Sequence, residues 1–247
     1  MEQNATSGSR VAFFGGSFDP PHEGHLAVAR AARAALKLDS VLFAPVGAQP
    51  LKPQGALAGF EDRVAMTRLA IADDPGFAVS LADAPKASAA PNYTLDALLE
   101  LRSRLAPGGE LFCLMGADSF LGLRRWHRSA EIPFAAPLIV ASRPGQPLDD
   151  LKDALPAGLT IEEDVALSAE EPASADRTGM RTWLLRDGAG RTAAFYLLPG
   201  LHIEISASHI RELIREGEVS AGALPDPECK LLPDAVLQYI RAHRLYR

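Results

Sequence analysis

Short runs of consecutive apolar residues recur along this chain, separated by stretches of helical composition. Residues 11–14 (Val11, Ala12, Phe13, Phe14), 41–46, 77–81, 111–115 and 137–141 are such runs, each the length of a strand buried on both faces. Between them, residues 26–36 are Ala-rich and helix-forming. Residues 60–72 read as a helix with Val64, Leu69 and Ile71 as its apolar positions, and residues 94–105 as another, stopped by Pro107, Gly108 and Gly109. Strands alternating with helices at this spacing predict parallel βαβ units in an open, doubly wound α/β sheet. Ligands of such sheets bind beyond the carboxyl ends of the strands.

From residue 145 the pattern changes, and an insertion is expected at about residues 156–198. A short helix is expected at 149–155, and residues 162–178, rich in Glu, Asp, Ser and Ala, are expected to be irregular and exposed. Two strand-like runs, 182–186 and 192–198, flank Asp187-Gly188-Ala189-Gly190-Arg191, a β-hairpin signal that could extend the main sheet antiparallel. Residues 201–205 alternate in character and read as a last central strand. A helix over 232–246 follows, with Pro233 in its first turn. Residues 1–9 are polar and read as a loose tail, leaving residues 10–247 as a single domain.

Composition narrows the class. The chain has 247 residues, 47% hydrophobic and 23% charged, ordinary values for a soluble globular protein. Its net charge of −6 argues against a nucleic-acid surface, which needs clustered Lys and Arg. It leaves room for a small phosphorylated substrate, which needs only a local positive site. No stretch has the pattern of a signal peptide or the length of a membrane span. Cys113 and Cys229 do not make a disulfide framework, so a cytoplasmic location is expected.

The richest chemistry lies between the first strand and the first helix, in Gly15-Gly16-Ser17-Phe18-Asp19-Pro20-Pro21-His22-Glu23-Gly24-His25. Gly15 and Gly16 let backbone N–H groups approach a ligand closely. A helix start there offers unpaired N–H groups and the positive end of its dipole to an anion. His22 and His25, three residues apart, fall on one side of the first turn and could donate to a phosphate. Glycines before a helix are also ordinary turn chemistry, and two histidines without a third ligand nearby are a weak metal signal. A second candidate follows the last expected strand, where Ser206 and Ser208 can cap a helix and donate to phosphate oxygens and Arg211 projects one turn later. Its plain alternative is a serine cap on a helix with surface arginines. Thr94 is a plausible helix cap, and Trp126 on its own reads equally well as core.

Taken whole, residues 15–25 resemble the Gly-Gly-(Ser/Thr)-Phe-Asp-Pro-x-His-x-Gly-His signature of the nucleotidyltransferases with a His-x-Gly-His motif. Residues 205–211 are similar to that family's Ile-Ser-(Ser)-Thr-x-Ile-Arg motif. Tyr93-Thr94-x-Asp96-x-Leu98 and Gly116-x-Asp118-Ser119 with Trp126 look like segments of its nicotinate-mononucleotide adenylyltransferases. The resemblance covers about residues 10–143 and 200–247. It implies a Rossmann-like nucleotidyltransferase fold, to which the hairpin-bearing insertion at about 156–198, before the last strand, is added with no role implied by the resemblance. It also implies ATP and nicotinate mononucleotide as substrates, with Mg²⁺ on the ATP phosphates.

Residue by residue, the resemblance implies ATP contacts from Gly15, Gly16, Ser17, Phe18, His22, His25, Gly116, Asp118, Ser206, Ser208 and Arg211. His22, His25, Lys52 and Arg211 would act on the phosphates, and Asp118 on ribose hydroxyls. Trp126 would stack on the pyridine ring beside Tyr93, with amides near Thr94 and at His127 receiving its carboxylate. Two positions depart from the family pattern: Leu51 stands where His is usual, and Asn92 where Ser is usual. Asp19 is expected to be structural, and no protein cage for a metal is expected. A homo-oligomer is compatible with all of this. The rivals are the same chemistry on nicotinamide mononucleotide or phosphopantetheine, cytidylyl transfer, and a nucleotide-sensing module without turnover.

Overall fold

The computed structural model describes residues 8–51, 55–142, 152–163, 179–198, 205–217 and 231–247. Their strands are β1 (Arg10–Gly16), β2 (Ser40–Pro45), β3 (Phe77–Val79), β4 (Glu110–Gly116), β5 (Leu138–Ala141), β6 (Leu159–Glu163), β7 (Arg181–Asp187) and β8 (Thr192–Leu198). Their α-helices are α1 (Glu23–Ala35), α2 (Phe60–Ala70), α3 (Thr94–Arg104), α4 (Ala117–Leu121), α5 (Ile132–Ala135), α6 (Ala207–Glu216) and α7 (Asp234–Ala242). The strands join one sheet in the order β3-β2-β1-β4-β5-β8-β7-β6. β1–β4, β4–β5 and β5–β8 are parallel, whereas β8–β7 and β7–β6 are antiparallel. The fold is therefore α/β, with a parallel core and an antiparallel flank.

The chain divides into two compact units, each assembled from three stretches. One comprises Met1–Phe14, Val28–Leu42 and Tyr93–His202; the other comprises Gly15–Ala27, Phe43–Asn92 and Ile203–Arg247. In the first, the apolar runs become strands as expected. β4 buries Leu111, Phe112, Cys113, Leu114 and Met115, and all four residues of β5 are buried. Rings pack beside them, Phe120 and Trp183 against Phe195 at 5.3 and 5.9 Å between centroids. Burial pushes the Cys113 thiol up to about 12, which leaves it an inert core residue.

The hairpin lies where the glycines place it. The Asp187 carboxylate accepts from the N–H groups of Ala189 and Arg191 and from Arg191 Nε at 2.7 Å, and Gly190 takes a positive φ of 82°. It does extend the sheet, with β8 running parallel beside β5. β6 is an addition to the expected pattern, and it corrects the start of the stretch expected to be irregular, since Glu162 and Glu163 pair with Leu184 and Trp183 of β7. The expected strand at 201–205 lies outside the described residues except for Ile205, as do residues 149–151 of the expected 149–155 helix and residues 164–178 of the acidic stretch; Lys152 and Asp153 are helical.

The second unit is held by Phe18, Phe43 and Phe77, whose rings step along at 5.5 and 5.3 Å, and by α2 and α7. Of the apolar positions expected for α2, Val64 and Ile71 are buried. Leu69 is exposed, whereas Arg63, Thr67 and Met66 are buried.

Candidate active site

The glycine turn leaves β1 and folds back on itself. Phe18 adopts a positive φ of 47°, an uncommon conformation for a residue with a Cβ, and its side chain is only 1% exposed. A Cβ on Gly16 would lie 3.0–3.3 Å from the Phe18 ring, so glycine is needed there for packing as well as for access. Phe18 thus serves the turn as a core anchor, and its ring meets that of His25 edge-on at 5.0 Å.

The two histidines lie together, as the three-residue spacing requires. Their ring centroids are 3.7 Å apart, and the His22 backbone N–H donates to His25 Nδ1 at 3.2 Å. An Nδ1 that accepts carries no proton, so neutral His25 holds its proton on Nε2 and can present it as a donor. His22 is buried, and its Nδ1 has no hydrogen-bond partner among the described residues. Burial lowers the His22 imidazole to about 4. Burial, and then the neighbouring His22, holds His25 well below its ordinary value. Both rings are therefore neutral at pH 7. The start of α1 is less bare than its sequence suggests: Glu23 N–H donates to the Leu231 carbonyl, and the His25 and Leu26 N–H groups to that of His22. These N–H groups are therefore already partnered within the fold.

Arg211 brings the second motif to the first. Its Nη1 donates to the Asp19 backbone carbonyl at 2.7 Å and its Nη2 to Ser208 Oγ at 3.1 Å. Ser206 caps α6 as expected, its hydroxyl accepting from His209 N–H at 3.2 Å. Ser17 Oγ donates to Gln49 Oε1 at 3.2 Å. Asp19 is structural: its carboxylate, nearly buried, accepts from the N–H groups of Leu57 and Ala58 and from Tyr246 Oη. Lys52 lies outside the described residues.

Sequence patterns missed three supports of this unit. Arg63 is 3% exposed and donates to the carbonyls of Ala58, Ser17 and Val46, tying the glycine turn to the end of β2. An arginine next to Glu61 and Asp62 carries no sequence signal of burial. Burial lowers its guanidinium from the usual value, with Asp19 opposing the shift. Tyr246 was visible only as part of a terminal apolar run. Asn92, noted as a departure from the family pattern, fills a position that needs both a donor and an acceptor. Its Oδ1 accepts from Ala48 N–H at 2.9 Å and its Nδ2 donates to the Ala84 carbonyl at 2.8 Å.

The remaining expected site residues belong to the first unit. Gly116 ends β4 and Asp118 lies exposed in the first turn of α4. Thr94 is the first residue of α3, and the cap position belongs to Tyr93, whose extended backbone makes no side-chain capping bond. This corrects the expected cap by one residue. Tyr93 stacks on His127, with centroids 4.2 Å apart and planes at 27°. The half-buried Trp126 precedes that histidine. Arg128 follows with a positive φ of 51° and grips Glu131 through two hydrogen bonds of 2.8 and 2.7 Å, fixing the turn after His127.

Arg211 thus ties the helix that follows Ser206 to the turn that follows β1, and residues 13–213 match the cytidylyltransferase-like family of nucleotidyltransferases, to which this chain belongs. The chain is similar over nearly its whole length to proteins named probable nicotinate-nucleotide adenylyltransferase. That of Geobacter metallireducens is 35% identical over 96% of this chain and 98% of its own, and that of Roseiflexus sp. is 35% identical over 98% and 100%. Among solved structures, the fold is similar to the Plasmodium falciparum nicotinic acid mononucleotide adenylyltransferase complexed with NaAD. The TM-score is 0.63 at 15% identity, covering 96% of this chain and 97% of that one.

Proposed function

We propose that this chain transfers the adenylyl group of ATP to nicotinate mononucleotide, giving nicotinate adenine dinucleotide and pyrophosphate. The observation that carries the reading is the bond from Arg211 to the Asp19 carbonyl, which unites the His22–His25 pair and the Ser206–Arg211 motif in one anion-binding set. Full-length relatives named for this activity support it.

The acceptor phosphate is already an anionic nucleophile at neutral pH, so no protein nucleophile is required. It attacks the α-phosphorus of ATP; the bond to the β-phosphate bridging oxygen breaks, and pyrophosphate leaves with the negative charge. Catalysis is then alignment and stabilisation of charge on the leaving group. His25 donates through Nε2–H, and His22 offers a buried nitrogen that a phosphate oxygen would satisfy. Arg211, Ser208 and the helix capped by Ser206 take the outer phosphates, with Lys52 in support. Gly15, Gly16 and Ser17 contribute backbone and hydroxyl donors, and Phe18 holds their turn.

Mg²⁺ enters with ATP as its counter-ion. The Asp19 carboxylate is already satisfied by three donors, and no cluster of three or more His, Cys, Asp or Glu suited to a metal is present among the described residues. Gly116 and Asp118 read the adenosine half. Trp126 stacks on the pyridine, and amides near Thr94 and at His127 receive its carboxylate, held in place by the Tyr93–His127 stack.

Pyrophosphate release with ATP or CTP, against nicotinate mononucleotide, nicotinamide mononucleotide and phosphopantetheine, tests the reading. Turnover confined to ATP with the pyridine nucleotides is expected. Preference for CTP or phosphopantetheine, or nucleotide binding without turnover, would overturn it.

A further inference from the structure

Asp19 holds a negative charge in a nearly closed space, 4% exposed. Its Oδ1 accepts from Ala58 N–H at 3.1 Å and from Tyr246 Oη at 2.7 Å, and its Oδ2 accepts from Leu57 N–H at 2.7 Å. All three are neutral donors. Two guanidinium groups stand nearby and neither is hydrogen-bonded to the carboxylate. Arg63 spends its N–H groups on three carbonyl oxygens. Arg211 Nη1 lies 3.9 Å from Oδ2, within ion-pair range but beyond hydrogen-bond length, and bonds to the Asp19 carbonyl instead.

That distribution has a cause. A carboxylate short of donors pulls in the nearest cation, since charge-assisted bonds are the strongest available to it. With neutral donors in place, Asp19 orients Arg211 through its main chain and spends none of the guanidinium's hydrogen bonds on the carboxylate. We infer that Tyr246 is a positioning residue for the adenylyl-transfer site: by donating its phenolic hydroxyl to Asp19, it keeps Arg211 from collapsing onto that carboxylate and so keeps it available to the triphosphate. Tyr246 suits the task because its ring is buried at 8% exposure, and its hydroxyl is held protonated, its ionisation raised by burial and by the bond to Asp19. The inference rests on the reading of Arg211 as a triphosphate ligand.

Steady-state kinetics on the full chain separate the two. Tyr246→Phe keeps the buried ring and removes only the hydroxyl. KM for ATP should rise about tenfold, the size of one misdirected charged hydrogen bond, with KM for nicotinate mononucleotide within about twofold on the same grounds. Arg211→Ala should also raise KM for ATP, and adding Tyr246→Phe to it should produce no further rise, because the cation that Tyr246 protects is gone. An unchanged KM for ATP in Tyr246→Phe, or a full additive loss in the double variant, would overturn the inference. A normal KM for ATP in Arg211→Ala would instead sink the underlying assignment of Arg211. Asp19→Asn removes the charge that would draw Arg211 in, so Tyr246→Phe added to it should leave KM for ATP where Asp19→Asn alone puts it. A further rise in that double variant would overturn the inference.

Discussion

On the proposed reading, the histidines would act through the position of a proton rather than through net charge. His25 is neutral, and the bond it accepts from the His22 backbone fixes its proton on Nε2. It can therefore donate to a phosphate without first gaining a proton. Replacing it removes one preorganised donor at the point where charge develops. His25→Ala should lower kcat by about a hundred- to a thousand-fold while changing KM for ATP far less; near-normal pyrophosphate release by a folded variant would refute the role. The depressed histidines also predict how stability depends on pH. His22 titrates at about 4 in the folded chain against an ordinary 6.5. Between those values the unfolded chain binds a proton that the folded one does not. Stability is therefore fully present above about pH 6.5, falls as pH drops, and loses on the order of 3 kcal/mol from this group. Urea unfolding at pH 7 and pH 4.5 should show the loss, and His22→Asn should shrink it.

At the scale of elements, two short devices hold the motifs. α6 begins at a serine whose hydroxyl takes the His209 N–H, and the same helix carries Ser208 and Arg211. Ser206→Ala should cost about 1 kcal/mol of stability and raise KM for ATP, measured by thermal melts and initial rates. The loop after β2 is as constrained. A Cβ on Gly47 would fall 2.6 Å from the Pro85 nitrogen and 2.7 Å from Asn92 Oδ1, and the first of these is backbone that cannot swing aside. Gly47→Ala should therefore destabilise the fold by roughly 1–3 kcal/mol, visible as a lower melting temperature. A variant that melts like the parent would show that the loop can move.

For the whole molecule, the consequence is a choice of substrate. On the proposed reading, a ring stacked on the pyridine would recognise its acid and amide forms equally, so Trp126 would not discriminate between them. Backbone N–H groups near Thr94 and at His127 can, because a carboxylate offers two acceptor oxygens and an amide turns an NH₂ toward the donors. One such mismatch costs about 1–3 kcal/mol, so nicotinate mononucleotide should be preferred by roughly fivefold to more than a hundredfold. Trp126→Ala should weaken use of both forms and leave the preference intact. Equal kcat/KM for the two on the parent chain would promote the nicotinamide-using rival.

What the sequence by itself determined was local. Apolar runs of strand length, glycine turns and cap residues located β1 to β5, the β7–β8 hairpin and the two phosphate motifs, because those signals act over a few neighbouring residues. It could not tell that β8, rather than a later strand, would pair with β5, since sheet partners are chosen by hydrogen bonds between segments distant in the chain. Nor could it show that Arg63 is buried, because an arginine next to Glu61 and Asp62 carries no sequence signal of burial until three carbonyl oxygens are brought to it. Tyr246 reaches Asp19 from 227 residues away. Only the tertiary structure could decide that the residue near the last turn completes the donors of a carboxylate in the first motif.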